Sequence, residues 1–164
     1  MRLKIRDARN DDGDRLIELI GACYADYPGC ILDVDGEVPE LRAIATHYAE
    51  MDGRFWVAEG EGGLLGSVGI APGKEPGVFE VKKLYVAKEA RRMGLGQRLL
   101  GLAEVEAMSR GARAIDLWSD TRFEDSHRLY ERRGYTRGES TRELHDASNS
   151  VEHYFRKEIA PAGV

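Results

Sequence analysis

Between Val78 and Gly111 the sequence changes its period once, and that junction limits what the chain can become. Val78 to Val86 is an apolar run of strand length that closes on Leu84-Tyr85-Val86. From about Gly94 to Arg110, Leu95, Leu99, Leu102 and Ala103 recur on one side of a helix. Gly111 ends that helix as a left-handed C-terminal glycine would. The junction itself reads Arg91-Arg92-Met93-Gly94-Leu95-Gly96-Gln97. A surface turn needs glycine, but it does not need paired arginines and two close glycines at the mouth of a helix. Helix N-termini carry unpaired N–H groups and about half a positive charge. Glycine lets a phosphate come close to the backbone, and arginine adds bidentate contacts to phosphate oxygens. Residues 91–97 are therefore a candidate pyrophosphate cradle; a tight turn with solvated arginines is the other reading of the same residues. The segment is not a Walker A loop, because no Gly-Lys-Ser/Thr follows, and Leu99 stands where a Rossmann fingerprint needs its third glycine.

The rest of the chain builds a layered α/β fold around this unit. Leu3 and Ile5 alternate with basic residues as a first strand, and Asn10-Asp11-Asp12 is read as the cap of a helix from about Asp12 to Tyr24. A second helix opens at Glu37-Val38-Pro39-Glu40 and carries Leu41, Ile44, Ala45 and Tyr48. Phe55 to Ala58 and Leu64 to Ile70 form a hairpin across Glu61-Gly62-Gly63. Ala114 to Trp118 is a buried strand, Glu124 to Arg133 a helix ended by Gly134, and 135–144 with 151–159 a closing antiparallel hairpin. The order is βααβββαβαββ, which predicts a mixed, mostly antiparallel sheet of about seven strands with helices on both faces. At 164 residues one domain is expected over 1–164.

Composition removes several classes of function. The chain is 42% hydrophobic and 32% charged, without an apolar run near the ~20 residues of a membrane helix. Its first residues lack a signal-peptide core, so a cytoplasmic location is the expectation. Cys23 and Cys30 match no metal or redox spacing, and the histidines at 47, 127, 145 and 153 are scattered, so no metal is expected. The net charge of −5 argues against nucleic acid as the main partner and is compatible with a cationic one.

A second motif, Leu129-Tyr130-Glu131-Arg132-Arg133-Gly134-Tyr135, follows the first at the right distance. Together, Arg91-x-x-Gly94-x-Gly96 after Leu84-Tyr85-Val86 and this Leu-Tyr-Glu-x-x-Gly-Tyr segment resemble the GNAT superfamily of acetyl-CoA-dependent N-acetyltransferases. The element order resembles that family's fold from end to end. The resemblance implies that Leu84, Tyr85 and Val86 pair with pantetheine like an added strand, while Arg91, Arg92, Met93, Gly94, Leu95, Gly96 and Gln97 hold the pyrophosphate. It implies Tyr130 near the cofactor sulfur, Glu80 at the position of a glutamate base, and an acceptor bordered by the connection that holds Tyr24, Asp26, Tyr27 and Cys30. In one place the chain departs from the pattern. Many relatives carry Asn seven residues before the tyrosine; here it is Phe123, with Asp120, Asp125 and Ser126 as the nearby polar substitutes. Members are often dimers, but no segment marks an interface.

The expected chemistry is acetyl transfer to a primary amine, on a small molecule or a protein, by direct attack in a ternary complex. An amine of pKa near ~10.4 must lose a proton, and the leaving thiolate needs a donor. Tyr130 is the candidate acid; its alternative is a core tyrosine. Glu80 is the candidate base, or else a strand residue paired with a lysine; Asp116, Asp120, His127 and water are the other candidates. Two tyrosines, Tyr24 and Tyr27, are candidate contacts for an amine through cation–π attraction, or the packing of a helix end. Trp118 reads as core, and Arg132-Arg133 as favourable charge at a helix C-terminus. A non-catalytic acyl-CoA sensor and an ordinary nucleotide-binding module are the competing functions.

Overall fold

The computed structural model of the chain describes residues 2–159. Seven strands form one sheet: β1 Lys4–Asp7, β2 Arg54–Gly60, β3 Gly63–Pro72, β4 Val78–Val86, β5 Ala114–Asp120, β6 Thr136–Glu143 and β7 Val151–Glu158. Their order across the sheet is β1-β2-β3-β4-β5-β7-β6. Every neighbouring pair is antiparallel except β4 and β5. That exception follows from the helix between them, since a helical crossover returns the chain in the same direction. α1 (Gly13–Ala25) and α3 (Ile44–Glu50) pack on one face of β2 to β4. α4 (Leu95–Ser109) and α5 (Glu124–Arg132) cover the other face, with Leu95 and Leu99 against Gly66 and with Tyr130 on Phe155.

Two expectations near the N-terminus are corrected. Asn10 and Asp12 do not cap α1 with their side chains. Asn10 instead caps α3, its Oδ1 accepting the Thr46 N–H at 3.0 Å, and Asp12 accepts from the Arg9 N–H at 2.7 Å and from Arg6. The single second helix is in fact three pieces: α2 (Val34–Glu37), a 3-10 turn Pro39–Ala43, and α3. Val38 precedes a proline, which disfavours helical geometry there, and its φ of −137° breaks the run. On α4, Leu102 is exposed, whereas Leu100, Ala103 and Ala107 are buried beside Leu95 and Leu99. Of the four residues predicted for the apolar stripe, Leu95, Leu99 and Ala103 are buried and Leu102 is not.

The sheet has two irregularities at its centre. β4 and β5 pair only from Val78–Ala114 to Glu80–Asp116, and beyond that point they part. Within β4 the register against β3 slips between Gly69–Lys82 and Ser67–Tyr85, so an extra residue is accommodated. Lys83 sits there with φ of 54°, and the Ser67 hydroxyl donates to its carbonyl at 2.8 Å. This is a β-bulge, and it changes which way the strand's side chains face.

Candidate active site

Where β4 and β5 separate, a cleft of about 740 Å³ opens on the side of α4 and α5. Its floor is Leu84, Tyr85 and Val86; one wall is Lys88, Ala90, Arg91, Arg92 and 94–97, and the other is the face of α5 that presents Asp125, Ser126, Arg128, Leu129 and Arg132, while Met93, expected in the cradle, is exposed and does not line the cleft. The bulge positions the floor. Before it, Glu80 and Lys82 lie opposite Asp116 and Gly69 on one face; after it, Val86 lies beside Gly96 of α4 while Tyr85 turns toward α1. Beyond Glu80 no β5 residue pairs with β4, so that edge of the strand faces the cleft. The Val86 carbonyl accepts from Arg91 Nε at 3.3 Å and from Cys23 Sγ at 3.5 Å.

The two glycines of the cradle serve different purposes. Gly94 is the N-cap of α4 with φ of 75°, a left-handed conformation that side chains disfavour. A Cβ there would meet nothing within 4 Å, because it would project into open cleft. Arg92 is also left-handed, with φ of 69°. Alternating hands of this kind turn successive N–H groups toward one concavity, which suits an anion. Gly96 is a matter of packing: a Cβ would lie 3.2 Å from Leu129 Cδ2 and 3.5 Å from Val86 Cγ2.

Tyr130 is next to the cleft residue Leu129 but is not itself part of the cleft lining. It is 5% exposed, packed against Phe155 at 5.4 Å and Tyr135 at 6.0 Å between ring centres. Burial pushes its phenol well above the ordinary value, so it stays protonated. Its end of α5 is held by Glu104 of α4, only 3% exposed, which accepts from Arg133, from the Tyr135 hydroxyl at 2.9 Å and from Lys157 Nζ at 3.2 Å. Arg133 thus serves a buried carboxylate, and its Nε is sealed without a partner. Its neighbour Arg132 lines the cleft, so the pair does more than end a helix. Nothing in the sequence flagged Glu104 as a site residue, although it sits on the same helical side as the buried Leu100, Ala103 and Ala107.

The candidate bases fall into separate environments. Glu80 is not part of the cleft lining; it lies beside Asp116 and 3.9 Å from Lys82. Burial raises its carboxyl above the ordinary value, with Asp116 adding to the rise and Lys82 opposing it. Asp120 goes the other way: burial alone would raise it, but Arg122 outweighs that with side-chain and backbone hydrogen bonds at 2.8–2.9 Å. His127 is buried, its Nε2 is 2.9 Å from the Asp120 carbonyl, and burial lowers its pKa. Asp116 accepts from the Tyr154 hydroxyl at 2.8 Å. Trp118 packs on Tyr154 at 5.0 Å and lies under the Arg142 guanidinium at 4.1 Å, on a sheet face rather than in the core.

Tyr24 and Tyr27 separate as well. Tyr24 is not part of the cleft wall, and its hydroxyl is 3.2 Å from that of Tyr85. Tyr27 reaches the cleft and packs on Phe123 at 4.9 Å. Phe123 therefore adds an aromatic wall where a side-chain amide was the common pattern, with Asp125 and Ser126 as the cleft's polar groups nearby. Burial pushes the Cys23 and Cys30 thiols up, against any role as a ready thiolate. Among the described residues, no three His, Cys, Asp or Glu side chains cluster as a metal site would, and no helix is long and apolar enough to cross a membrane.

A mixed sheet split at its one parallel pair, with a glycine–arginine turn beside the split, defines the α/β class of the chain. Residues 14–135 match the acetyltransferase (GNAT) family, and the chain belongs to it. It is 30% identical over 99 residues to YjgM, an uncharacterized N-acetyltransferase of Escherichia coli (strain K12), a match covering 59% of each chain. It is 36% identical over 87 residues to an IAA acetyltransferase of Azospirillum brasilense, covering 53% of this chain and 57% of the relative. The matched part thus spans little more than half of these relatives. An acetyltransferase of the GNAT family from Staphylococcus aureus Mu50 superposes with a TM-score of 0.82 at 19% identity, covering 97% of this chain and 100% of that one. The PaiA N-acetyltransferase of Thermoplasma acidophilum, solved in complex with coenzyme A, superposes with a TM-score of 0.74 at 18% identity over 97% of this chain and 100% of that one. At such identities the two structures establish the fold alone.

Proposed function

We propose that the chain transfers an acetyl group from acetyl-CoA to a primary amine, of a small molecule or a protein, by direct attack in a ternary complex. The observation that carries this reading is the split between β4 and β5, whose free stretch Leu84–Val86 lines one cleft with a turn in which Arg92 and Gly94 are left-handed. The split leaves an unpaired strand edge for an amide-bearing arm, and the cradle offers N–H groups to a pyrophosphate. PaiA, which shares the fold, was crystallised with coenzyme A, and that supports the choice of ligand.

In this reading Leu84 to Val86 pair with pantetheine, and Arg91 leaves Val86 for the phosphates. The amine nitrogen attacks the thioester carbon, a backbone N–H near Leu84 stabilises the oxyanion, and the carbon–sulfur bond breaks. Tyr130 donates a hydrogen bond to the departing sulfur. Its raised pKa fits a donor that does not ionise on its own. Glu80 takes the amine's proton through water across the split. Of the carboxylates whose shift is resolved near the split, Glu80 is raised and Asp120 lowered, and a raised pKa makes the better base for an ammonium. Transfer through Cys23 or Cys30 is disfavoured by their raised thiols.

The test is an acceptor screen: acetyl-CoA with amines and peptides, thiol release as the rate, and mass detection of the product. An acetylated amine supports the reading. Tight acetyl-CoA binding with no turnover across the panel would make the chain an acyl-CoA sensor instead. Stabilisation by ATP or NAD but not by CoA would make it a nucleotide-binding module.

A further inference from the structure

The cleft carries more positive charge than a pyrophosphate needs. Lys88, Arg91 and Arg92 line one wall, and Arg128 and Arg132 line the other, against the carboxylate of Asp125. This basic patch stands in a chain whose net charge is −5. The two walls are separate in the fold. The first belongs to the cradle at the start of α4. The second is α5, where Arg128 and Arg132 flank Leu129, the side chain that packs toward Gly96.

The state of these arginines differs. Arg91 is 3.6 Å from Asp26, and Arg128 is 2.6 Å from Asp125. Arg92 and Arg132 have no carboxylate within salt-bridge distance among the described residues. A solvated helix face would be the ordinary explanation for Arg128 and Arg132. Yet residues 125, 128, 129 and 132 all turn to the cleft, so the pair faces the ligand's space. Spaced four apart on one side of a helix, two guanidinium groups can share one anion.

We infer that Arg128 and Arg132 form a second anion site that holds the 3′-phosphate on the ribose of coenzyme A. The inference rests on the reading that this cleft binds acetyl-CoA. The pyrophosphate takes the backbone N–H groups of the cradle together with Arg91 and Arg92. The remaining phosphate is a monoester with a charge near −2 at neutral pH, as for other phosphomonoesters whose second pKa is about 6. It is joined to the same ribose, so it lies just outside the cradle, where α5 offers the paired guanidinium groups of Arg128 and Arg132 against the single ammonium of Lys88 on the other wall. Asp125 gives up Arg128 to the stronger anion.

The experiment compares CoA with 3′-dephospho-CoA by calorimetry on the wild type, Arg132→Gln, and the double variant Arg128→Gln/Arg132→Gln. Wild type should bind CoA about tenfold or more tighter than dephospho-CoA, the scale of one exposed charge-assisted contact. The double variant should bring that ratio close to one and leave dephospho-CoA affinity unchanged, with Arg132→Gln in between. Equal wild-type affinity for the two ligands would overturn the site while leaving CoA binding intact. So would a double variant that weakens both ligands alike, since the arginines would then act on the shared pyrophosphate. Wild type that binds neither ligand would overturn the CoA reading itself, and this inference with it. Circular dichroism of each variant checks folding, and the single variant supplies the comparison if the double does not fold.

Discussion

Gly94→Ala separates the cost to the fold from the cost to the ligand. The residue is left-handed, with φ of 75°, and its Cβ would meet no atom within 4 Å in the free protein. The cost to the fold is therefore conformational alone, roughly 1 kcal/mol for a non-glycine residue in that region. For a chain of this size that corresponds to a fall of about 2–4 °C in melting temperature. The cost to the ligand is larger, because the new methyl stands where a phosphate must approach the N–H groups of α4. Losing one charge-assisted contact, worth roughly 1.5–3 kcal/mol, weakens acetyl-CoA by about 10- to 150-fold. Gly96→Ala is the control. Its Cβ would be 3.2 Å from Leu129 Cδ2, a contact that a small shift of a flexible side chain relieves, and alanine regains up to about 1 kcal/mol of helix propensity. It should therefore change stability by less than about 1 kcal/mol and affinity less than Gly94→Ala does. Calorimetry with acetyl-CoA and a thermal melt read both quantities. If folded Gly94→Ala binds acetyl-CoA as wild type does, the cradle is not at Gly94.

Four further outcomes are expected. Tyr130→Phe should keep acetyl-CoA affinity but lower kcat by roughly 10²–10⁴-fold, the range for losing a proton donor; near-normal kcat with the true acceptor would make the phenol structural. Glu80→Gln should slow the reaction and remove the acidic limb of the pH–rate profile, because Glu80 must ionise above its raised pKa to accept a proton. Its raised value also means that the folded state binds the extra proton. Wild type should thus lose stability relative to Glu80→Gln as pH rises from the ordinary 4.5 through the raised value, measured by denaturant titration at several pH values. Glu104→Ala leaves Arg133 and Lys157 facing no buried carboxylate and should cost about 3–5 kcal/mol in urea unfolding; a cost below about 1 kcal/mol would show that the cluster is dispensable. Asp12, whose burial effect is outweighed by hydrogen bonds from Arg6 and Arg9, has a lowered pKa; its stabilisation is present above the ordinary 3.8 and lost as pH falls through the lowered value, so Asp12→Asn should flatten that acid loss.

Features decided by local chemistry were legible in the sequence. The strand Val78–Val86 and the glycine stops at Gly111 and Gly134 follow from periodicity and backbone freedom. An open backbone edge at Leu84–Val86 was implied by family resemblance, whereas no residue pattern announced that β4 and β5 part beyond Glu80. The bulge at Lys83 left no trace, because lysine is not a residue that marks left-handed geometry, and the hydroxyl that holds it comes from Ser67 on another strand. Partners distant in sequence hid Glu104, which takes Arg133 and Tyr135 from the connection between α5 and β6 and Lys157 from β7. Its phase among buried apolar positions was the available signal. Tyr24 and Tyr27 looked equivalent in sequence, but they are three residues apart at a helix end, and only Tyr27 clears the helix to reach the cleft.

The extra residue at Lys83 makes β4 a strand with two reading frames. Side chains up to Lys82 and those from Leu84 onward obey opposite parities, so one stretch of nine residues supplies a carboxylate to one side of the sheet and an open backbone edge to the other. Substitutions along such a strand change one group at a time. A deletion at 83 would do something else: it would restore the regular ladder, with Tyr85 still toward α1 and Val86 still toward Gly96, and remove the bend that the left-handed Lys83 puts into the strand just where it leaves β5. The surplus residue therefore sets the strand's bend and not the sides its neighbours face, and a shortened β4 would test whether the bend is what holds the strand edge open.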